Sequence, residues 1–460
     1  MSTTELNRDT PLDAIDPAWA WQPWTPSAEE PWDRRRAALF FRRVGFGASA
    51  SEVDRALKGS FGELVDSVFE KEKFAEFEAQ STSIAKSVLA TGDAQQLARW
   101  WLHRMLYSPD AIREKLTLFW HGHFATGAEK VLDTELMFQQ NELLRKFALG
   151  DFRELVQSIS KDPAMLIYLD SVTNRKAHAN ENYARELMEL FCLGEGNYTE
   201  ADVQQLARCF TGWEIRRKQF RFNSYQHDEG SKSVLGNHSI ESGEEAIDHI
   251  LQQPSMANFI CSKLFRFYVC DEPIPPNPLL EPLAERFRSD KLNLKGLVRT
   301  IVSSRLMMSN WSIGRKIRSP VELVIGFLRT LEASTGLDRI VERLREIGQG
   351  LFFPPNVKGW DGGRAWINSS TLVGRANIIH LLVHHETTRY AGGSLSNFAA
   401  RFGGQDAEKF LVSLDEQFLA QALQESRRTF ILQKTAALKG DAKYREILSL
   451  FATLPIVQLS

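Results

Sequence analysis

The stretch FWHGHFATG, residues 119–127, sets His121 and His123 on either side of Gly122 within a run of aromatics. Residues i and i+2 of an α-helix point about 200° apart, so these two imidazoles share a metal only on an extended or turned backbone. Glycine permits that turn if a helix from Ile112 ends near His121 and leaves Gly122 beyond it. A helix running on would instead bury His123, which follows Leu116 and Phe119 at helical spacing. The competing reading is one imidazole buried against a backbone carbonyl and the other at the surface. A histidine pair with no third ligand nearby in sequence is a weak metal signal.

The second candidate is ANENYARELMELFCLG, residues 179–194. Asn180 is a good N-cap, Glu181 suits the positive end of the helix dipole, and Gly194 suits the C-terminal end. Tyr183, Leu187, Leu190 and Phe191 form an apolar face. Asn182, Glu186 and Glu189 gather within about 60° at its edge. Two carboxylates three residues apart, beside an amide, suit a divalent cation or a shared proton. The plainer reading is a solvated acidic edge, with Arg185 pairing Glu181 and Glu189.

The third is HDEGSK, residues 227–232, where His227 and Asp228 precede a glycine turn and Lys232 follows it. A loop bearing an acid–base pair and a cation is a plausible reactive edge. The same residues also suffice simply to build a turn. PPNVKGWDGG (354–363) and FTGW (210–213) add Lys358, Trp360 and Trp213. Such aromatic loops floor ligand grooves, but more often clamp loops to a core. His380 and His384, one helical turn apart, are secondary. No phosphate loop, dinucleotide fingerprint, nucleophile elbow or HExxH signature is present.

Around these residues the pattern is helical. DRRRAALFFRRVGFGASASEVDRAL (33–57) places Ala38, Phe41 and Val44 on one stripe, and Ser49 or Ser51 can cap the next helix. Comparable periods recur along the chain with short connections, as in packed antiparallel helices. Residues 214–238 alternate at Phe220 and Phe222 and turn at Asp228–Gly230, which predicts one small β-hairpin excursion. The stretch 351–370 is rich in proline, glycine and tryptophan and predicts a structured loop. The expected architecture is mainly α, a bundle-like single large domain over 33–390. Before it, residues 1–32 carry four tryptophans, too costly to leave in water, and should lie across the body. After it, 391–460 is a helical C-terminal tail.

Bulk properties narrow the function. The chain has 460 residues, 43% hydrophobic and 25% charged, with 56 Lys plus Arg against 58 Asp plus Glu. A net charge of −2 offers no electrostatic reason to bind nucleic acid. No stretch approaches the ~18–20 apolar residues of a membrane span. The N-terminus lacks a basic segment followed by an apolar one, so the expected location is the cytoplasm. Cys192, Cys209, Cys261 and Cys270 have neither zinc-site nor disulfide-framework spacing.

Several long motifs stand in a fixed order. They are LFFRRVGFGAS (39–49), IREKLTLFWHGHFAT (112–126), NENYARELMELFCLGEGNYTEADV (180–203), FTGW, HDEGSKSVLG (227–236), RSPVE (318–322) and LFFPPNVKGWDGG (351–363). Together, from about Arg36 to about Arg375, they resemble the family called domain of unknown function 1800. The 393–460 segment matches none of its motifs. The resemblance implies a bacterial protein with no established activity. Its members often look exported and frequently occur beside a sulfatase-like partner; the missing signal here departs from that pattern.

Two functions remain in view. In the first, a metal-dependent enzyme, the histidine turn, acidic helix and HD loop converge. Some of His121, His123, Glu186, Glu189 and His227 then hold one divalent metal. Asp228 or Glu181 orients an imidazole or acts as base, and Lys232 stabilises developing negative charge. In the second, the polar motifs are buried ion pairs and caps in a non-catalytic scaffold that acts with a sulfatase-like companion.

Overall fold

Helix starts fall where a side chain accepts the amide protons that a first turn leaves free. Ser49 with Glu52, Ser60 with Glu63, Thr199 with Asp202 and Ser319 with Glu322 form reciprocal capping boxes. Asp33, Asp110 and Asp151 cap with single bonds. The computed structural model describes residues 6, 8–70, 74–403 and 406–460; residues 1–5 and 7 of the N-terminal tail lie outside them. Over the described residues the fold is mainly α, with three small two-stranded antiparallel ladders. No helix among them is long and apolar enough to cross a membrane. The four cysteines are buried free thiols.

The expected single hairpin is two. Trp213–Arg216 pairs with Gln219–Phe222, and Lys232–Val234 pairs with Asn237–Ile240. Arg217–Lys218 turns the first and Leu235–Gly236 the second, at φ of 54°, 62°, 49° and 79°. Both turns therefore have the left-handed residue pairs that match strand twist. Without Asn-Gly or Asp-Gly, the first turn left no sequence signal. Asp228–Gly230 links the hairpins and is not itself a hairpin turn. The third ladder joins Ala333–Ser334 to Arg389–Tyr390.

Apolar side chains gather in two large cores. One holds Trp24, Phe40, Trp120, Phe152, Phe191 and Phe265. The other holds Trp101, Phe327, Phe352, Phe410 and Phe451. Trp19, Trp21 and Trp32 pack half-buried against the first, and the indole of Trp21 donates to the Leu279 carbonyl at 2.7 Å. Beyond residue 391, Phe410, Leu414 and Phe451 belong to the second core, and Leu459 bridges to Ile317. That segment is integral to the body.

Some helices serve both cores, as Thr134–Phe147 does with Leu144 and Phe147 in the first and Leu136 and Met137 in the second. Ala111–His123 sends Ile112, Leu116 and Trp120 into the first and Leu118 into the second. The candidate site lies along this seam.

Candidate functional site

The helix Ala111–His123 continues through Gly122 and ends at Phe124. It does not stop at His121, and this corrects the turn on which chelation depended. The imidazoles point into different cores. His121 sits edge-on to Trp101 with centroids 5.2 Å apart, and its Nε2 accepts the Phe352 amide at 3.3 Å. His123 lies against Trp120, Phe124 and Phe191. Its Nε2 is 3.0 Å from the Phe191 carbonyl oxygen. Burial pushes His121 down to about 3, and burial plus the Lys263 ammonium hold His123 well below the usual histidine range. Both rings are therefore neutral. A carbonyl only accepts, so His123 Nε2 carries the proton and Nδ1 presents a lone pair. Nδ1 is buried with no partner among the described residues.

Gly122 has a different purpose from a helix stop. A Cβ there would lie 3.3 and 3.6 Å from the Trp360 ring, and a Cβ on Gly359 would collide with the Gly122 carbonyl oxygen. Gly359 also holds φ at 76°. The two glycines let the 356–362 loop lie directly on the helix.

The acidic helix starts as Asn182–Glu186 and becomes a π-helix over Leu187–Cys192. Asn180 still accepts the Asn182 amide, at 3.0 Å. The Leu193 amide reaches back to Met188 at 2.8 Å, a five-residue step. At this end the Leu190 carbonyl accepts from Lys263 Nζ at 3.1 Å and the Phe191 carbonyl from His123. Arg185 pairs with Glu181 at 3.2 Å and Glu200 at 2.7 Å, not with Glu189. Glu189 instead accepts from the Tyr198 hydroxyl at 2.8 Å. Glu186 is half-buried; desolvation and neighbouring Glu189 push its carboxyl up, against Lys358 and Arg185.

The HD loop stands apart. His227 Nδ1 is 2.8 Å from the Thr211 carbonyl oxygen and Nε2 3.2 Å from that of Glu241. Asp228 takes a bidentate pair from Arg208, at 2.7 and 3.1 Å, which holds it down to about 2. Lys232 is buried and donates to the Glu241 carbonyl at 3.3 Å. An open groove of about 570 Å³ runs beside this loop. Among the described residues, no group of three or more His, Cys, Asp or Glu side chains could hold a metal ion. His121, His123, Glu186, Glu189 and His227 thus do not gather as the metal reading expected. The reason is the unbroken helix, the π segment and the loop's separate anchoring to residues 208–241.

What the structure does gather is a cavity of about 360 Å³ along the seam. Phe119, His123, Leu190, Lys358, Trp360, Asp361 and Trp366 line it. Ser319, Glu322, Gln349, Asp271 and Lys316 also line it. Lys316 pairs with Asp271, and Glu322 with Lys115 behind the wall. Lys263 and Arg266, from the helix Pro254–Tyr268, complete the lining. Neither they nor Lys358 has a carboxylate ion pair among the described residues. Desolvation, then Arg266, pushes Lys263 down to about 8. Trp360 Nε1 is a second buried polar atom without a partner among the described residues.

Sequence reasoning missed Lys263 and Arg266. The signal was two cations on the apolar helix SKLFRFYV, at i and i+3 beside Phe267. The cavity draws on FWHGH, NENYARELMELF, RSPVE and PPNVKGWDGG, four of the motifs that carry the resemblance. The chain matches a family model described as protein of unknown function (DUF1800), over residues 39–459. It belongs to that family. The match runs through the C-terminal segment in which no motif was legible. No curated protein and no solved structure matches the chain.

Proposed function

We propose that the seam cavity is a small-molecule site for an anionic compound carrying a ring, of the class of phosphorylated, sulfated or carboxylated sugars. The observation that carries this reading is three cations, Lys263, Arg266 and Lys358, lining an aromatic-walled cavity without carboxylate ion pairs. Lys263 and Arg266 are half-buried and donate only to backbone carbonyls, of Leu190 and Asp271, while Lys358 stands exposed at the rim; an anion supplies the charge that those carbonyls do not. Trp360, Trp366, Phe119 and Phe267 offer ring faces. His123 Nδ1 can accept from a ligand hydroxyl and Trp360 Nε1–H can donate to a ligand oxygen. His123 is too weakly basic to abstract a proton readily; Lys263, pushed down to about 8, is the better base near neutral pH.

The test is calorimetric titration of sugar phosphates, sulfates and uronates beside their neutral parents. Anionic members should bind and neutral parents bind more weakly. Lys263→Met should weaken binding by roughly tenfold to a hundredfold, the ~1.5–3 kcal/mol of a hydrogen bond to a charged group. If no anionic compound binds, or Lys263→Met binds as wild type does, this reading fails. The scaffold reading then takes precedence. It is favoured by the HD loop, where His227, Asp228 and Lys232 all engage neighbouring parts of the fold.

A further inference from the structure

Adjoining the cavity, and sharing Phe267, Lys316 and Glu322 with it, is a second, narrow chamber of about 10 Å³. That is room for one water-sized species. Its lining brings together Arg42, Arg43, Lys115, Lys316, Arg318 and Glu322. Five cations around one carboxylate is an unusual balance for a protein interior.

The partners show where the charge goes unanswered. Lys115 pairs with Glu322 and Lys316 with Asp271. Arg43 spends its donors on backbone oxygens, those of Tyr268, Val269, Ser312 and Ser460, at 2.6–2.8 Å. Arg318 donates to the Leu459 and Phe418 carbonyls at 3.1 and 2.8 Å. Arg42, only 6% exposed, gives Nη1 to the Gln417 carbonyl at 2.7 Å. Its Nε and Nη2 have no acceptor among the described residues. The charged groups bearing most on Arg42 are themselves cations, Arg318, Arg43 and Arg35. A guanidinium cannot shed its proton at ordinary pH, so it needs an acceptor, and here preferably a charged one.

We propose that this chamber is a binding site for a single chloride-sized monovalent anion, held by Arg42 Nε and Nη2 and stabilising the junction of the two cores. A four-oxygen anion is too large for the space. The proposal does not rest on the ligand reading above, since Lys263, Arg266 and Lys358 do not line the chamber.

The experiment pairs two measurements on the full chain. Crystals grown in sodium bromide should show an anomalous peak within hydrogen-bond distance of Arg42 Nε and Nη2. Thermal unfolding in sodium chloride, against sodium gluconate at equal ionic strength, should show a Tm that rises with chloride and saturates. Arg42→Met should remove both effects, whereas Lys263→Met should keep them. A bromide map without a peak in the chamber overturns the proposal whatever the Tm does, and means that the chamber holds water. If Arg42→Met does not fold, the wild-type bromide map decides alone.

Discussion

At the scale of single residues, charge and burial make predictions whose signs can be worked out. Asp162, buried at an N-cap and accepting from Gln140 Nε2 at 2.7 Å, is pushed up to about 7 by desolvation. Its folded state therefore holds a proton that the unfolded state has released, between the ordinary carboxylate range and about 7. Stability must fall as pH rises through that window, at up to ~1.4 kcal/mol per unit from this group. Asp162→Asn, which keeps the acceptor oxygen, should flatten that slope in urea titrations at pH 5 and pH 8. Asp228 is the opposite case. Arg208 holds it down to about 2, so its stabilisation is present above the ordinary Asp range and is lost as pH falls toward 2. The pair is partly exposed, so Asp228→Ala should cost only about 1 kcal/mol and leave anion binding within twofold of wild type. Lys263 binds an anion through its charged form, so affinity in calorimetric titrations should decline as pH rises through about 8. An affinity that stays flat from pH 7 to 9 would remove Lys263 from the anion's contacts.

At the scale of elements, the glycines of FWHGH and VKGWDGG form one device. Gly359→Ala places a Cβ against the Gly122 carbonyl at a φ of 76°, with backbone on one side and no flexible neighbour to yield. It should lift the loop, abolish ligand binding and cost several kcal/mol, on the order of 1–3 for the backbone conformation alone. Gly122→Ala meets only the edge of Trp360, so it should shift that ring and weaken binding while the Tm changes little. Equal effects of the two substitutions would contradict this account. The π segment works similarly. By under-winding the acidic helix, it hands the Leu190 and Phe191 carbonyls to Lys263 and His123, and Glu186 just before it has no ion pair among the described residues. A half-buried carboxylate with no ion pair among the described residues contributes little, so Glu186→Ala should change stability by less than about 1 kcal/mol in chemical denaturation.

At the scale of the whole molecule, the two cores are tied by shared helices, Ala111–His123 and Thr134–Phe147 among them, and by residues 456–460. Gln458 Oε1 accepts from Arg375 Nε at 2.7 Å, the Ser460 amide donates to Lys316 at 2.8 Å, and Arg43 donates to the Ser460 carbonyl. Removing residues 456–460 leaves buried guanidinium donors without acceptors, each costing on the order of 1–3 kcal/mol. A large fall in Tm, with both cores melting in one calorimetric transition, is the expected result. Two separate transitions would show that the seam does not couple them.

The sequence by itself determined the mainly α architecture, the helix starts, the buried tryptophan tail and the family, because capping chemistry and helical periodicity are local. It also singled out Gly122 as a helix stop and Lys358 and Trp360 as parts of a loop clamp. It could not show that Gly122 lies inside a helix, since a glycine that ends a helix and one that admits a neighbouring loop look alike until that loop is in place. The first hairpin was hidden because Arg217 and Lys218 adopt a turn that their types do not favour. Only the tertiary structure separated His121 from His123, moved the HD loop to its own groove, and brought Lys263 and Arg266 to the cavity. Those outcomes depend on which long-range neighbours balance each charge, and spacing along the chain carries no record of that.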